Sequence, residues 1–147
     1  MVERPGPHRS VESRDGGRKP VWRQAERARE PFALGILAQI EQHVAHMRRD
    51  MGVNIVATNN SWGGGGYSDA LRDAIEVGGR AGILFVAAAG NSTSNNDTTA
   101  TYPANYACTT KADGTPRGWD CVVSVAAITN TGALAGFSNF GATTTDL

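Results

Sequence analysis

Cysteine is scarce in this sequence: two in 147 residues, Cys108 and Cys121. They permit one disulfide and exclude a disulfide-framework scaffold. There is no excess of charge of either sign, because 14 Lys and Arg face 14 Asp and Glu. That balance argues against a globally basic nucleic-acid binder and against an acidic disordered tail. No apolar run approaches the ~18–20 residues of a membrane span. The longest is residues 83–89, flanked by glycine. The first ten residues carry charge with no apolar stretch behind them, so they do not read as a secretory signal peptide. What the chain has in plenty is glycine, 18 residues, without a collagen period. These glycines therefore mark tight backbone rather than a fibre.

The neutral average conceals two unlike parts. Residues 1–31 hold eight Lys and Arg against five Asp and Glu, a net of +3. Their large apolar side chains are only Val2, Val11, Val21 and Trp22. Such a segment cannot bury enough surface to offset its ordering entropy and reads as disordered. A basic arm on nucleic acid is the sharper alternative, and mixed signs with one aromatic residue disfavour it. Residues 32–147 hold six basic and nine acidic residues, a net of −3, and are strongly patterned.

In that second part Phe32, Ile36, Leu37, Ile40, Val44, Met47 and Met51 recur at three- and four-residue steps. This predicts one apolar helix face over residues 32–50, stopped near Gly52. Residues 53–58 read as a strand. Ser68 is a good helix N-cap with Asp69 in the first turn, and Leu71, Ala74, Ile75 and Ala81 give a second helix face. Gly78 and Gly79 weaken its last turn and Gly82 ends it. Residues 83–89 form a continuous apolar strand, the pattern of a strand covered on both faces. A polar loop follows, then a third strand over 122–128. A helix between two apolar strands is a βαβ unit, which implies a parallel sheet with a right-handed crossover. Sites in such sheets form outside the carboxyl ends of the strands. Two loops leave those ends, at residues 59–66 and 90–106, and should lie side by side.

Three motifs compete for the chemistry. The run Gly63, Gly64, Gly65, Gly66 stands between a strand and a helix, where a phosphate cradle could form. It matches neither GxxxxGKS/T nor GxGxxG, so a flexible loop is the better reading than a nucleotide-binding α/β module. His43 and His46 could share a helix face as metal ligands, but no glutamate stands between them and no third ligand follows at a recognised spacing. Two solvated histidines are expected. Residues 87–91 end a buried strand on Gly90 and Asn91. Gly90 admits close backbone approach. The Asn91 amide could stabilise developing negative charge on a substrate oxygen. A plain turn asparagine is the equal alternative.

Taken together, five segments resemble the subtilisin-like serine proteases. Residues 54–66, NIVATNNSWGGGG, look like the strand and loop that wall the primary specificity pocket. Residues 82–91, GILFVAAAGN, look like the segment ending in the oxyanion-hole asparagine. Tyr102, Pro103 and Ala104 resemble the family's YPA loop, residues 121–127 the strand after it, and residues 137–141, FSNFG, its FSN-x-G turn. The resemblance spans roughly residues 54–147 and implies an α/β fold: a three-layer parallel sheet with helices on both faces, here incomplete. The chain then divides into a disordered basic segment, 1–31, and a partial subtilisin-like peptidase domain, 32–147.

Carried over residue by residue, the resemblance makes Asn91 the oxyanion-hole donor. It sets Ser61, Trp62 and Gly63 as one wall of the substrate pocket and Ala88, Ala89 and Gly90 as the other. Extended polypeptide would lie along these backbone edges as an added strand. The small wall residues leave room for a sizeable apolar side chain.

The departures are equally definite. The family's Asp, His and Ser triad comes in the strings Asp-Ser/Thr-Gly, His-Gly-Thr-His and Gly-Thr-Ser, and none of the three occurs in this sequence. His43 lies too late in the chain order and in the wrong context to serve as the base. The implied activity is serine-type endopeptidase, with this chain carrying the oxyanion-hole and pocket segments and expected to be inactive as it stands. The alternative within the family is a non-catalytic peptide-binding relative. An internal piece of a parallel sheet would also leave open edges and uncovered apolar faces.

The expected partner is a polypeptide substrate, with no nucleic acid and no membrane, and the resemblance implies an extracellular setting. There Cys108 and Cys121 would form a disulfide clamping a turn-rich excursion that includes Lys111, Gly114, Pro116 and Gly118. In a reducing cell they would be two free thiols. The family often binds calcium, and the loop from Tyr102 to Tyr106 lies where a weak cation site can occur. No carboxylate cluster supports one, so no metal or other cofactor is expected.

Overall fold

A computed structural model describes residues 32–108, 115 and 120–147. The basic segment 1–31 and most of the excursion between the cysteines, including Lys111, Gly114, Pro116 and Gly118, lie outside the described residues. The element order is helix α1 (Phe32–Asp50), strand β1 (Ala57–Asn60), helix α2 (Asp69–Arg80), strand β2 (Leu84–Ala88) and strand β3 (Val122–Val125). The three strands form one parallel sheet in the order β1-β2-β3, as the βαβ pattern predicts. Ala57 stands opposite Leu84 and Phe85 opposite Val122.

The second helix begins where its sequence says it must. Ser68 is extended and its side-chain oxygen accepts the Leu71 N–H at 3.1 Å, one of the donors left open at any helix start. The helix ends at Arg80, and Gly82 follows at φ +78, a left-handed turn that glycine makes without strain. β1 begins later than its apolar pattern predicts. Val53 and Val56 are exposed, and the ladder starts only at Ala57, where Leu84 becomes available as a partner. Apolar character does not make a strand without a neighbour to pair with.

Both helices cover one face of the sheet. Leu34 and Ala38 of α1, Leu71, Ala74 and Ile75 of α2, and Phe85, Ala87 and Val122 of the sheet join Ala104, Tyr106 and the two cysteines in one buried cluster. Leu84 and Ala88, alternating with Phe85 and Ala87, point to the opposite face and are exposed. β2 thus has the composition of a strand covered twice and is covered once among the described residues. On α1 the face turned inward is Leu34, Ala38, Glu41 and Ala45, while Ile36 and Ile40 are exposed, as is Met51 just past its end. Small residues such as Ala38 and Ala45 let two helix axes approach, which the large apolar stripe of the sequence does not.

Two buried polar groups give stability predictions. The Tyr106 hydroxyl accepts the Ser68 N–H at 2.8 Å and donates to the Ser68 carbonyl at 3.2 Å, tying the 102–106 loop to the start of α2. Tyr106→Phe leaves both backbone groups without this partner and should cost about 2 kcal/mol in a urea titration.

Glu41 is 7% exposed, and burial raises its carboxyl from the ordinary 4.5 to about 7. A carboxyl raised in the folded state opposes folding once it ionises. The contribution of Glu41 is therefore most favourable below pH 4.5, is lost as pH rises toward 7, and changes little above it. Glu41→Gln should remove most of that slope and add roughly 2 kcal/mol at pH 8, with almost no effect at pH 4.5, because a neutral amide still carries some burial cost. Urea midpoints at the two pH values test it.

Candidate active site

β1 and β2 deliver their carboxyl ends side by side, and the loops that leave them meet. Gly65 pairs with Tyr102 in an antiparallel bridge. A Cβ on Gly63 would lie 3.3 Å from the Tyr102 carbonyl oxygen, and one on Gly65 would lie 3.1 Å from Leu34. Two of the four glycines after β1 thus serve close protein packing, while a Cβ on Gly64 or Gly66 would meet nothing within 4 Å. Tyr102 precedes Pro103 through a cis peptide bond, and its ring meets Tyr67 edge-on at a centroid distance of 5.3 Å and Tyr106 at a tilt at 4.8 Å.

At this end of the sheet lies an open cavity of about 250 Å³. Ser61 lines it from the β1 side, Ala88, Ala89, Gly90 and Asn91 from the end of β2, and Ala126 and Ala127 from the end of β3. Five of the seven residues expected at the site therefore share one cavity. Trp62 and Gly63 are not in its lining. Trp62 turns toward the helical layer, where its ring meets Phe85 edge-on at 6.2 Å and its indole N–H donates to Asn60 Oδ1 at 3.2 Å. The β3 contribution was not read from the sequence. Nothing in a short run of alanines signals a wall until the sheet order is known.

Asn91 is exposed at the cavity mouth, where its amide can meet a bound molecule. Behind it stands a buried amide network that no local pattern in the sequence announces. Asn96 Nδ2 donates to the Ala89 carbonyl at 2.9 Å, and Asn96 Oδ1 accepts from Thr101 Oγ1 at 3.1 Å and from Asn139 Nδ2 at 3.1 Å. Asn105 closes the loop, donating to the Asn96 carbonyl at 3.0 Å and accepting the Thr101 N–H at 2.8 Å. Each buried amide is satisfied, so the network fixes one loop conformation instead of leaving costly unpaired groups.

A second tie lies at the surface. Asp97 accepts from Thr144 Oγ1 at 2.8 Å, Thr143 Oγ1 at 2.9 Å, Thr143 N–H at 3.1 Å and Ala142 N–H at 2.7 Å. The Thr144 hydroxyl first, and then the Thr143 hydroxyl and backbone donors, hold its carboxyl down at about 2 against the usual 3.8. A carboxyl lowered in the folded state supports the fold at every pH above 3.8 and loses that support as pH falls through 2. The Ala142 and Thr143 amide resonances should keep their positions from pH 7 to pH 4 and shift near pH 2. Asp97→Asn should abolish that transition.

The described residues offer little to a cation. His43 and His46 are exposed, and His46 Nδ1 lies 2.6 Å from Asp50 Oδ2 within the same helix. Among the described residues the grouping of three candidate ligands is Cys108, Asp120 and Cys121, and its two sulfurs are joined in a disulfide. Calcium takes oxygen ligands, so this set does not fit it. Among the described residues no helix is long and apolar enough to cross a membrane.

No curated protein matches the chain. Among solved structures, a psychrophilic protease superposes with a TM-score of 0.52 at 24% identity over 72% of this chain and 31% of its own. Sphericase gives 0.53 at 23% identity, over 72% of this chain and 31% of its own. The epidermin leader peptide processing serine protease from Staphylococcus aureus gives 0.52 at 21%, over 76% and 30%. At these identities the likeness speaks for the fold, and the chain spans about a third of the length of these structures. Residues 35–146 match the Subtilase family, most of the chain and, but for the first turn of α1, all five of the described elements. The chain belongs to the Subtilase family.

Proposed function

We propose that this chain is the substrate-gripping portion of a subtilisin-like serine endopeptidase that acts on polypeptides outside the cell, and that it does not cleave on its own. One observation carries the reading: Asn91 stands exposed at the mouth of a cavity walled by Ser61, Ala88, Ala89 and Gly90, at the carboxyl ends of adjacent parallel strands. An extended peptide laid along these edges would place a carbonyl oxygen near the Asn91 amide. That amide is neutral and is carried on a strand-end turn, so it can donate to an oxyanion more strongly than to the ground-state carbonyl. The second donor of such a hole, the nucleophile's own N–H, has no candidate in this sequence, because neither the serine string nor the aspartate and histidine strings occur. Without nucleophile and base the site can bind and polarise but cannot form an acyl-enzyme. Trp62 lies against Phe85, so the pocket wall on the β1 side is assigned to Ser61 rather than to the indole. The disulfide between Cys108 and Cys121 supports an oxidising, extracellular setting.

The test has two arms. A fluorophosphonate probe should leave the purified chain unlabelled. An unreactive peptide with a large apolar residue, titrated into isotope-labelled chain, should shift the amide resonances of Ala88, Ala89, Gly90, Asn91, Ala126 and Ala127. Stoichiometric labelling would overturn the absence of catalysis, and a titration that leaves the cavity resonances unmoved would overturn the binding role.

A further inference from the structure

We infer that Asn139 is the positioning residue for Asn91, an assignment that rests on reading Asn91 as the oxyanion donor. Among the described residues no hydrogen bond holds the Asn91 side chain, so its aim depends on the backbone that carries it. Asn139 grips that backbone on both sides. Its N–H donates to the carbonyl of Gly90 at 2.9 Å, immediately before Asn91. Its Oδ1 accepts the N–H of Ser92 at 2.8 Å and of Ser94 at 3.1 Å, immediately after. Gly90 stands at φ +118, and a Cβ there would lie 2.5 Å from Asn139 Nδ2. The left-handed turn that presents Asn91 and the amide that holds the turn occupy each other's space.

Asn139 is itself held without slack. It is 1% exposed. Its Nδ2 donates to Asn96 Oδ1 at 3.1 Å and to Thr101 Oγ1 at 3.2 Å, and its carbonyl accepts from Ser138 Oγ at 2.9 Å. Every donor and acceptor of the residue is used, and an amide is the side chain that offers two acceptor sites on one atom and two donors on another. Asp would keep the bonds to Ser92 and Ser94 and lose the donors to Asn96 and Thr101. Leu would lose all four side-chain bonds. Asn139 is not itself among the residues that line the cavity.

The experiment is performed on the full chain by amide hydrogen exchange and by the side-chain amide resonances of Asn91. In Asn139→Leu, exchange at Ser92 and Ser94 should accelerate by at least about tenfold. The Asn91 side-chain resonances should move or broaden, while Phe85 and Ala89, whose N–H groups donate to Cys121 and Val125 across the sheet, stay within about twofold of their original protection. In Asn139→Asp the Asn91 signature should be perturbed when the carboxylate is ionised and return when protonation restores a donor toward Asn96, giving a pH profile absent from the parent chain. Unchanged Asn91 resonances in both variants would overturn the inference. So would loss of Phe85 and Ala89 protection in step with Ser92 and Ser94 in both variants, since Asn139 would then be a plain fold residue. Failure of the peptide titration alone sinks the oxyanion reading of Asn91 and leaves the link between Asn139 and Asn91 measurable, so the two failures are distinct.

Discussion

Gly90→Ala should cost about 4 kcal/mol and abolish peptide binding at the cavity. Two independent penalties meet at this residue. The φ of +118 is open to glycine and strained for any residue with a Cβ, a cost on the order of 1–3 kcal/mol. The added carbon would also lie 2.5 Å from Asn139 Nδ2 and 3.0 Å from its Cγ, and that amide cannot retreat because its bonds to Asn96, Thr101, Ser92 and Ser94 hold it in place. Overpacking against the buried Asn139 amide adds about 1–3 kcal/mol more. A domain of this size has only ~5–15 kcal/mol of stability, so the variant should show a large loss in urea midpoint and a disordered 90–94 segment. Gly136→Ala is the control, since its φ is ordinary and a Cβ there meets nothing within 4 Å. It should stay within about 0.5 kcal/mol of the parent. Equal midpoints for the two variants would show that the clamp on Gly90 is not as described.

The expected weight of that one hydrogen-to-methyl change shows where sequence reading stops. The turn itself was legible: a buried apolar strand running into Gly90 and Asn91 places a glycine and a polar amide at a sheet edge. The partner was not. Asn139 lies 47 residues from Ser92, inside a stretch that reads as a surface turn, and its amide becomes structural only when the chain brings residues 137–141 back beside β2. Local pattern carries no information about a bond of that span. The same holds for Asn96, which sits in a polar loop and is 2% exposed.

For the fold, the division falls between local chemistry and pairing. The Ser68 cap, the end of α2 before Gly82 and the βαβ order depend on neighbours a few residues away, and the structure has them where the sequence predicts. Register and facing depend on partners far along the chain. Residues 53–56 look like a strand and have no ladder, because β2 offers its first partner at Leu84 opposite Ala57. The large apolar stripe on α1 looks like the buried face, yet close approach of α1 to α2 selects the face with Ala38 and Ala45. Ile36 and Ile40, with Leu84 on the sheet, are the uncovered apolar surface expected of a partial domain.

Replacing Cys108 and Cys121 together by alanine should cost about 3 kcal/mol, the chain-entropy value for closing a loop of this length. The bridge spans a sequence separation of 13 and joins Cys108, two residues after Tyr106, to the residue just before β3. Its surroundings are built around it. Cys108 and Cys121 are 3% and 0% exposed, and a Cβ on Gly79 of α2 would lie 2.6 Å from the Cβ and Sγ of Cys121. Asp120 supports the same junction, with Oδ1 accepting the N–H of Cys108 at 3.0 Å and of Val122 at 3.0 Å. Loss of the bridge therefore acts on two levels. It frees the intervening chain in the unfolded state, and it loosens the packing between α2 and the start of β3. Because Ala126 and Ala127, just after β3, line the cavity, the double variant should also weaken peptide binding, though less than Gly90→Ala does. Urea midpoints of the parent with and without reductant, compared with the double variant, separate the contributions. Reduction alone should reproduce most of the loss, since the thiols still fill the space beside Gly79. A parent whose midpoint ignores reductant, with two thiols titratable under denaturing conditions before reduction, would show that the bridge does not form.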